Sequence, residues 1–80
     1  MHTIELDCPP GNPRPDDLLP EALMGTDLTP NDFVVESKFF GNWTFVLKAE
    51  LDDKYLWRRD RIKENITALY DAGLIRYASW

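Results

Sequence analysis

Side chains that commonly carry catalysis are scarce in this chain of 80 residues. His2 is the single histidine and stands beside the first residue, so Ser-His or Cys-His nucleophilic arrangements and histidine metal sites have no second member. Cys8 is the single cysteine, which excludes an internal disulfide. No histidine or lysine close in sequence lowers its pKa, so we expect an inert thiol and no bound metal or cofactor.

Two pairs of carboxylates are adjacent in sequence, Asp16 with Asp17 and Asp52 with Asp53. Neighbouring side chains diverge on a helix or strand, whereas a catalytic pair must converge across a cleft. A solvated loop and a helix cap are the simpler explanations of these pairs. The four glycines are scattered and form no phosphate-binding loop. We therefore predict that the protein is not an enzyme.

The net charge of −5 is unevenly distributed. Residues 1–32 contain seven acidic residues and one basic residue, whereas residues 33–80 contain seven acidic and eight basic residues. Either the two parts neutralise each other or one of them is a recognition patch. The length predicts one domain, and the absence of a long apolar run predicts a cytoplasmic protein without membrane contact.

A long amphipathic helix is predicted over residues 52–72. Asp52 is the expected N-cap, Leu51 is expected to pack on Leu56, and Gly73 with Leu74 fits a Schellman close. One face of the helix carries the residues expected in the core, with Leu56 at its margin: Tyr55, Ile62, Ile66, Leu69 and Tyr70.

Residues 33–50 change to an apolar period of two, which predicts a β-hairpin. A two-residue loop at Gly41-Asn42 would mix charged residues into the apolar face. We predict instead an odd loop, either 40–42 or 41–43, and the second form places Glu36 opposite Lys48. With an odd loop, the side chains on one apolar face of the hairpin are Phe33, Val35, Phe39, Phe45, Leu47 and Ala49.

Residues 1–32 are predicted to form an acidic, proline-rich strap that begins with a short edge strand near residues 1–7. Five of the six prolines fall within residues 8–20, which favours extended backbone, and Pro20 to Met24 can form one helical turn. Residues 74–80 alternate and are predicted to return to the sheet as a strand. The predicted fold is α+β: a mostly antiparallel sheet of three or four strands around the hairpin, with the long helix on one face.

The segment RRDRIKENITALYDAGLIRY, Arg58 to Tyr77, resembles the recognition helix and first wing strand of winged-helix DNA-binding domains. This resemblance implies a nucleic-acid-binding regulator that uses the arginine-rich helix. It is the second of two functional hypotheses, because a sequence pI near 4.6 opposes contact with phosphate.

The first hypothesis is a non-catalytic protein-binding module that occupies a site on a larger protein or protein–nucleic-acid complex. On the helical wheel Trp57 points away from the core, so it is either an exposed binding hot spot or is covered by the strap or by Trp80. Compactness, acidity and aromatic content are similar to those of small phage- or mobile-element-encoded inhibitors, including anti-defence proteins, which would act in the host cytoplasm. The residues we expect to contact a partner are Trp57, Arg58, Arg61, Glu64, Phe40, Asp16 and Asp17.

Overall fold

The computed structural model describes residues 2–11 and 13–80. Four strands form one antiparallel sheet in the spatial order β2-β3-β1-β4. The chain forms β1 (Thr3–Asp7), α1 (Pro15–Ala22), β2 (Phe33–Phe39), β3 (Asn42–Leu47), α2 (Asp52–Asp71) and β4 (Tyr77–Ser79). The α+β prediction is confirmed, and this order of elements and strands is the split βαβ, or ferredoxin-like, topology. The resemblance to a winged helix does not extend to this fold.

β1 lies in the interior of the sheet, between β3 and β4. Its side chains alternate between the core and the opposite face, so Ile4 and Leu6 are fully buried while Glu5 is only partly buried. The prediction of a strand here is confirmed. The prediction that it forms an edge is wrong, because β4 returns to its free side and pairs Ser79 with Glu5.

α1 replaces much of the predicted strap. Pro15 occupies the first helical position, where its missing N–H costs no hydrogen bond, and Asp17 accepts a hydrogen bond from the Arg14 N–H at 3.1 Å. Leu18, Leu19 and Ala22 are buried against the rest of the core. The predicted turn at residues 20–24 is wrong in its placement, because the helix begins five residues earlier and contains Pro20 in its interior.

The hairpin joins β2 and β3 through the two residues Phe40 and Gly41, with Phe39 paired to Asn42. The predicted odd loop is therefore wrong. A bulge between Val35 and Ser37 supplies the odd residue instead, so that Val35 still pairs with Phe45 on the core face.

Two further predictions about the hairpin are corrected by this register. Phe39 faces outward and is 69% exposed, because it lies beyond the bulge. Glu36 is the unpaired residue of the bulge and does not face Lys48. Lys38 takes the place beside Trp43, where its Nζ lies 4.5 Å from the ring centroid.

α2 spans 20 residues and packs one face against the sheet through Tyr55, Ile62, Ile66 and Leu69. Tyr70 was expected on that face but is 58% exposed. The N-cap is Leu51 and not Asp52, because a 3-10 turn at Ala49–Leu51 leads directly into the helix.

The Schellman close at the C-terminal end of α2 is confirmed. The Leu74 N–H donates to Leu69 O at 3.1 Å, and Gly73 has φ +74. Among residues 2–11 and 13–80, no helix is long and apolar enough to cross a membrane.

β4 is shorter than the strand predicted over residues 74–80, but it returns to the sheet as expected. Ile75, just before it, is buried. Both helices cover the face of the sheet that carries Leu6, Phe45 and Leu47, and the opposite face has no buried side chain among the described residues. The domain is therefore a two-layer structure with one open sheet face.

Candidate functional site

Trp57 lies on the solvent side of α2 and is 81% exposed. Its position follows from the helical period, because Tyr55 and Ile62 face the core and Trp57 points away from both. The alternative that the proline-rich segment or Trp80 covers this side chain is wrong. Trp80 lies instead beside Arg59, whose Nη2 donates to the Trp80 carbonyl oxygen at 3.2 Å.

The residues around Trp57 are held in place by contacts with the connection between α1 and β2. Arg58 forms an ion pair with Asp27 at 3.5 Å, and Lys54 Nζ donates to the Asp27 carbonyl oxygen at 2.7 Å. Asp27 has φ +64, so this carbonyl is presented by a left-handed turn. The basic residues at the start of α2 therefore fasten a loop.

The same stripe of α2 continues through Arg61 and Asn65. Asn65 Nδ2 donates to the carbonyl oxygens of Ala22 and Met24 at 3.0 and 2.8 Å, and Arg61 Nε donates to Met24 O at 3.4 Å. Carbonyls at the C-terminal end of a helix lack intrahelical donors, so Asn65 and Arg61 cap α1 through tertiary contacts. The spacing of Lys54, Arg58, Arg61 and Asn65 by four, three and four residues places them on one side of α2.

Glu64 lies one turn beyond Arg61 and approaches its guanidinium at 4.0 Å. The Glu64 side chain is 72% exposed. Trp57 and Glu64 are seven residues apart and share the outer face of α2. The structure thus brings together four of the predicted contact residues, which we call the Trp57 surface: Trp57, Arg58, Arg61 and Glu64.

Phe40 belongs to a different part of the molecule, the tip of the hairpin. It is 90% exposed and has φ +55, and it contacts Phe39 edge to face with ring centroids 4.7 Å apart. The tip is anchored where the Cys8 N–H donates to Gly41 O at 2.9 Å. Phe40 borders a cavity of about 450 Å³ whose described lining includes Arg14 and Trp43 but no residue of α2.

Asp16 and Asp17 are engaged in local contacts at the start of α1. The Arg14 side chain donates two hydrogen bonds to Asp16, at 3.1 and 2.6 Å, and these bonds lower the pKa of the Asp16 carboxyl. Asp17 accepts the Arg14 N–H. These two carboxylates stabilise the helix start and lie apart from the Trp57 surface.

Burial favours the neutral form of two ionisable side chains. Burial raises the pKa of the Cys8 thiol, and the neighbouring Asp7 carboxylate raises it further. Burial also raises the pKa of the Tyr55 hydroxyl, an effect that Arg59 opposes. The described part of the chain has no group of three or more His, Cys, Asp or Glu side chains placed to share a metal ion.

The chain was compared with models of protein families, with curated proteins and with solved structures, and none of them matches it. The functional assignment therefore depends on the surfaces described above.

Proposed function

We propose that this protein is a non-catalytic protein-binding module whose main contact is the Trp57 surface. The observation that carries the proposal is the exposure of Trp57, which is 81% accessible and is the most exposed apolar side chain of a helix that also leaves Leu56 and Tyr70 more than half exposed. Tryptophan and arginine are the residues most enriched at the energetic centres of protein interfaces. An indole at this exposure contributes little buried area to the fold.

The fixed arginines beside Trp57 support the same proposal. Arg58 and Arg61 are restrained by Asp27, Met24 and Glu64, so a partner would not have to order them on binding. Binding to side chains that are already restrained costs less conformational entropy. The partner would offer an apolar pocket for the indole, with polar groups around its rim to meet the arginines and Glu64.

The arrangement of charge favours a protein partner over nucleic acid. Asp27 and Glu64 offset the positive charges of Arg58 and Arg61, and the net charge of the chain is −5. On the open face of the sheet, the central strand β1 presents Glu5 and Asp7 where a nucleic-acid platform would carry stacking aromatic side chains.

At a finer level, we propose that the module acts as an inhibitor that blocks a site on a larger host protein or complex. This follows from its small size and acidity, which are similar to those of phage- or mobile-element-encoded inhibitors. Such a protein would act in the host cytoplasm.

The experiment is affinity capture from a cell lysate with nuclease present, read by mass spectrometry. Wild-type protein is compared with Trp57→Ala, and Phe40→Ala serves as the matched control because Phe40 is an equally exposed aromatic residue elsewhere. We expect one protein to be captured by the wild type and by Phe40→Ala and lost with Trp57→Ala. Capture that disappears with nuclease, or that depends on Phe40 and not on Trp57, would contradict the proposal.

A further inference from the structure

β2 is an edge strand with a free side. In the described part of the chain it has β3 on one side and no strand on the other. Leu47 donates its N–H to His2 O, so the odd-numbered residues of β3 direct their backbone groups toward β1. Val35 and Lys38 pair with odd-numbered residues of β3, and their own N–H and C=O groups therefore point away from the sheet.

The side chains of this edge are unusually apolar for an exposed strand. Val34 is 56% exposed and Phe39 is 69% exposed, and both lie on the open face of the sheet. They share that face although they are five residues apart, because the bulge at Glu36 shifts the alternation by one. Val35 and Lys38 share the opposite face for the same reason.

The bulge makes the edge self-complementary. When a second β2 is placed antiparallel with Val35 opposite Lys38 of the second copy, the outward backbone groups of the two strands meet. Val34 then lies opposite Phe39 of the second copy, and two-fold symmetry repeats this apolar pair. On both sides of the bulge, opposite residues share a face of the sheet and have matching backbone directions, and the overlap covers residues 34–39 of both strands.

The charges of β2 favour pairing of two copies along this strand. The chain carries −5 overall, but β2 contains one acidic and one basic residue, Glu36 and Lys38. Two like-charged copies can therefore approach along β2 with little repulsion from the strand itself. The same two charged residues discourage indiscriminate pairing at this edge.

We propose that two copies of the chain pair along β2 to form a continuous eight-stranded antiparallel sheet. The outer face of the junction holds two Val34–Phe39 contacts. This proposal does not depend on the proposed function.

Cysteine cross-linking tests the register. A pair that is not hydrogen-bonded places its Cα atoms about 4.5 Å apart, within the range for a disulfide of about 4.4–6.8 Å. Val34→Cys combined with Phe39→Cys should therefore oxidise to a covalent dimer. Val34→Cys alone is the matched control, because its two copies would lie roughly 16 Å apart along the strand. We expect at least about tenfold more covalent dimer from the double variant than from the control.

Sedimentation equilibrium of the wild-type protein provides the second measurement. The average mass should rise from 9.3 kDa toward twice that value as the concentration is raised to about 1 mM, and Val34→Lys should remain monomeric. A circular dichroism spectrum confirms that each variant is folded. A wild-type protein that stays monomeric throughout, or a single-cysteine control that cross-links as well as the double variant, would overturn the proposal.

Discussion

Gly41→Ala is expected to be strongly destabilising, although the hairpin tip is exposed. A Cβ at residue 41 would overlap the backbone carbonyl oxygen of Cys8, an atom that cannot move independently of the chain. Relieving the overlap separates the tip from the segment that follows β1, and it stretches the hydrogen bond from Cys8 N–H to Gly41 O, now 2.9 Å.

The magnitude follows from these two losses. Overpacking against immobile atoms costs about 1–3 kcal/mol, and a lost hydrogen bond adds about 0.5–1.5 kcal/mol. We therefore expect the free energy of unfolding to fall by roughly 2–4 kcal/mol. A domain of this size has only about 3–5 kcal/mol available, so the variant would retain roughly 1 kcal/mol and about a sixth of its population would be unfolded at room temperature.

The assay is urea denaturation followed by tryptophan fluorescence, with Gly73→Ala as the control. Gly73 has φ +74 and open space where a Cβ would lie, so that variant isolates the cost of the left-handed conformation at about 1–2 kcal/mol. If Gly41→Ala costs less than Gly73→Ala, the close contact between the hairpin tip and Cys8 is not what the structure describes.

Three further predictions concern the helix surfaces and the buried thiol. Asn65→Ala should lower the free energy of unfolding by about 1–2 kcal/mol in the same urea assay, because it removes the two hydrogen bonds that Asn65 donates to Ala22 O and Met24 O, whereas the exposed Lys63→Ala should have little effect. Trp57→Ala should change stability by less than about 0.5 kcal/mol, and a larger loss would place the indole in the core. The pKa of the Cys8 thiol is raised in the folded protein, so the unfolded chain loses this proton at a lower pH than the folded chain does. The stabilisation linked to the thiol is therefore complete below the ordinary cysteine pKa of about 8.5 and decreases as the pH rises from there toward the folded-state pKa. Urea titrations at several pH values should show the free energy of unfolding of the wild type falling with pH above about 8.5, and Cys8→Ala should lack this decrease. An equal pH dependence in the two proteins would contradict the burial of the thiol.

The elements that the sequence could predict were those with strong local patterns. The period of α2 and its Gly73 close, and the alternation in β2 and β3, each fix a local structure without tertiary information. Trp57 was placed away from the core by the helical wheel, and the structure leaves it exposed.

Local sequence patterns gave wrong predictions in two places. In one, a single bulge residue shifts the alternation of a strand, and in the other, a proline is compatible with both extended backbone and the start of a helix. Nothing in FVVESKFF marks Glu36 as an extra residue, so the odd count was assigned to the hairpin loop instead of to a bulge. The prolines of residues 8–20 predict a barrier to continuous helix, although Pro15 suits the first position of α1.

The role of the α2 stripe was missed because its partners are tertiary. The spacing of Lys54, Arg58, Arg61 and Asn65 was visible, but a run of charged residues on a helix is equally compatible with solvent or a recognition surface. Only the folded chain brings the carbonyls of residues 22–27 beside them.

The central claim, that Trp57 is the energetic centre of a protein interface, is tested most directly by titration calorimetry with the captured partner. Trp57→Ala should raise the dissociation constant about 30-fold, equivalent to about 2 kcal/mol of binding free energy, while the free energy of unfolding is unchanged. An affinity within about threefold of wild type, measured on a folded variant, would contradict the claim.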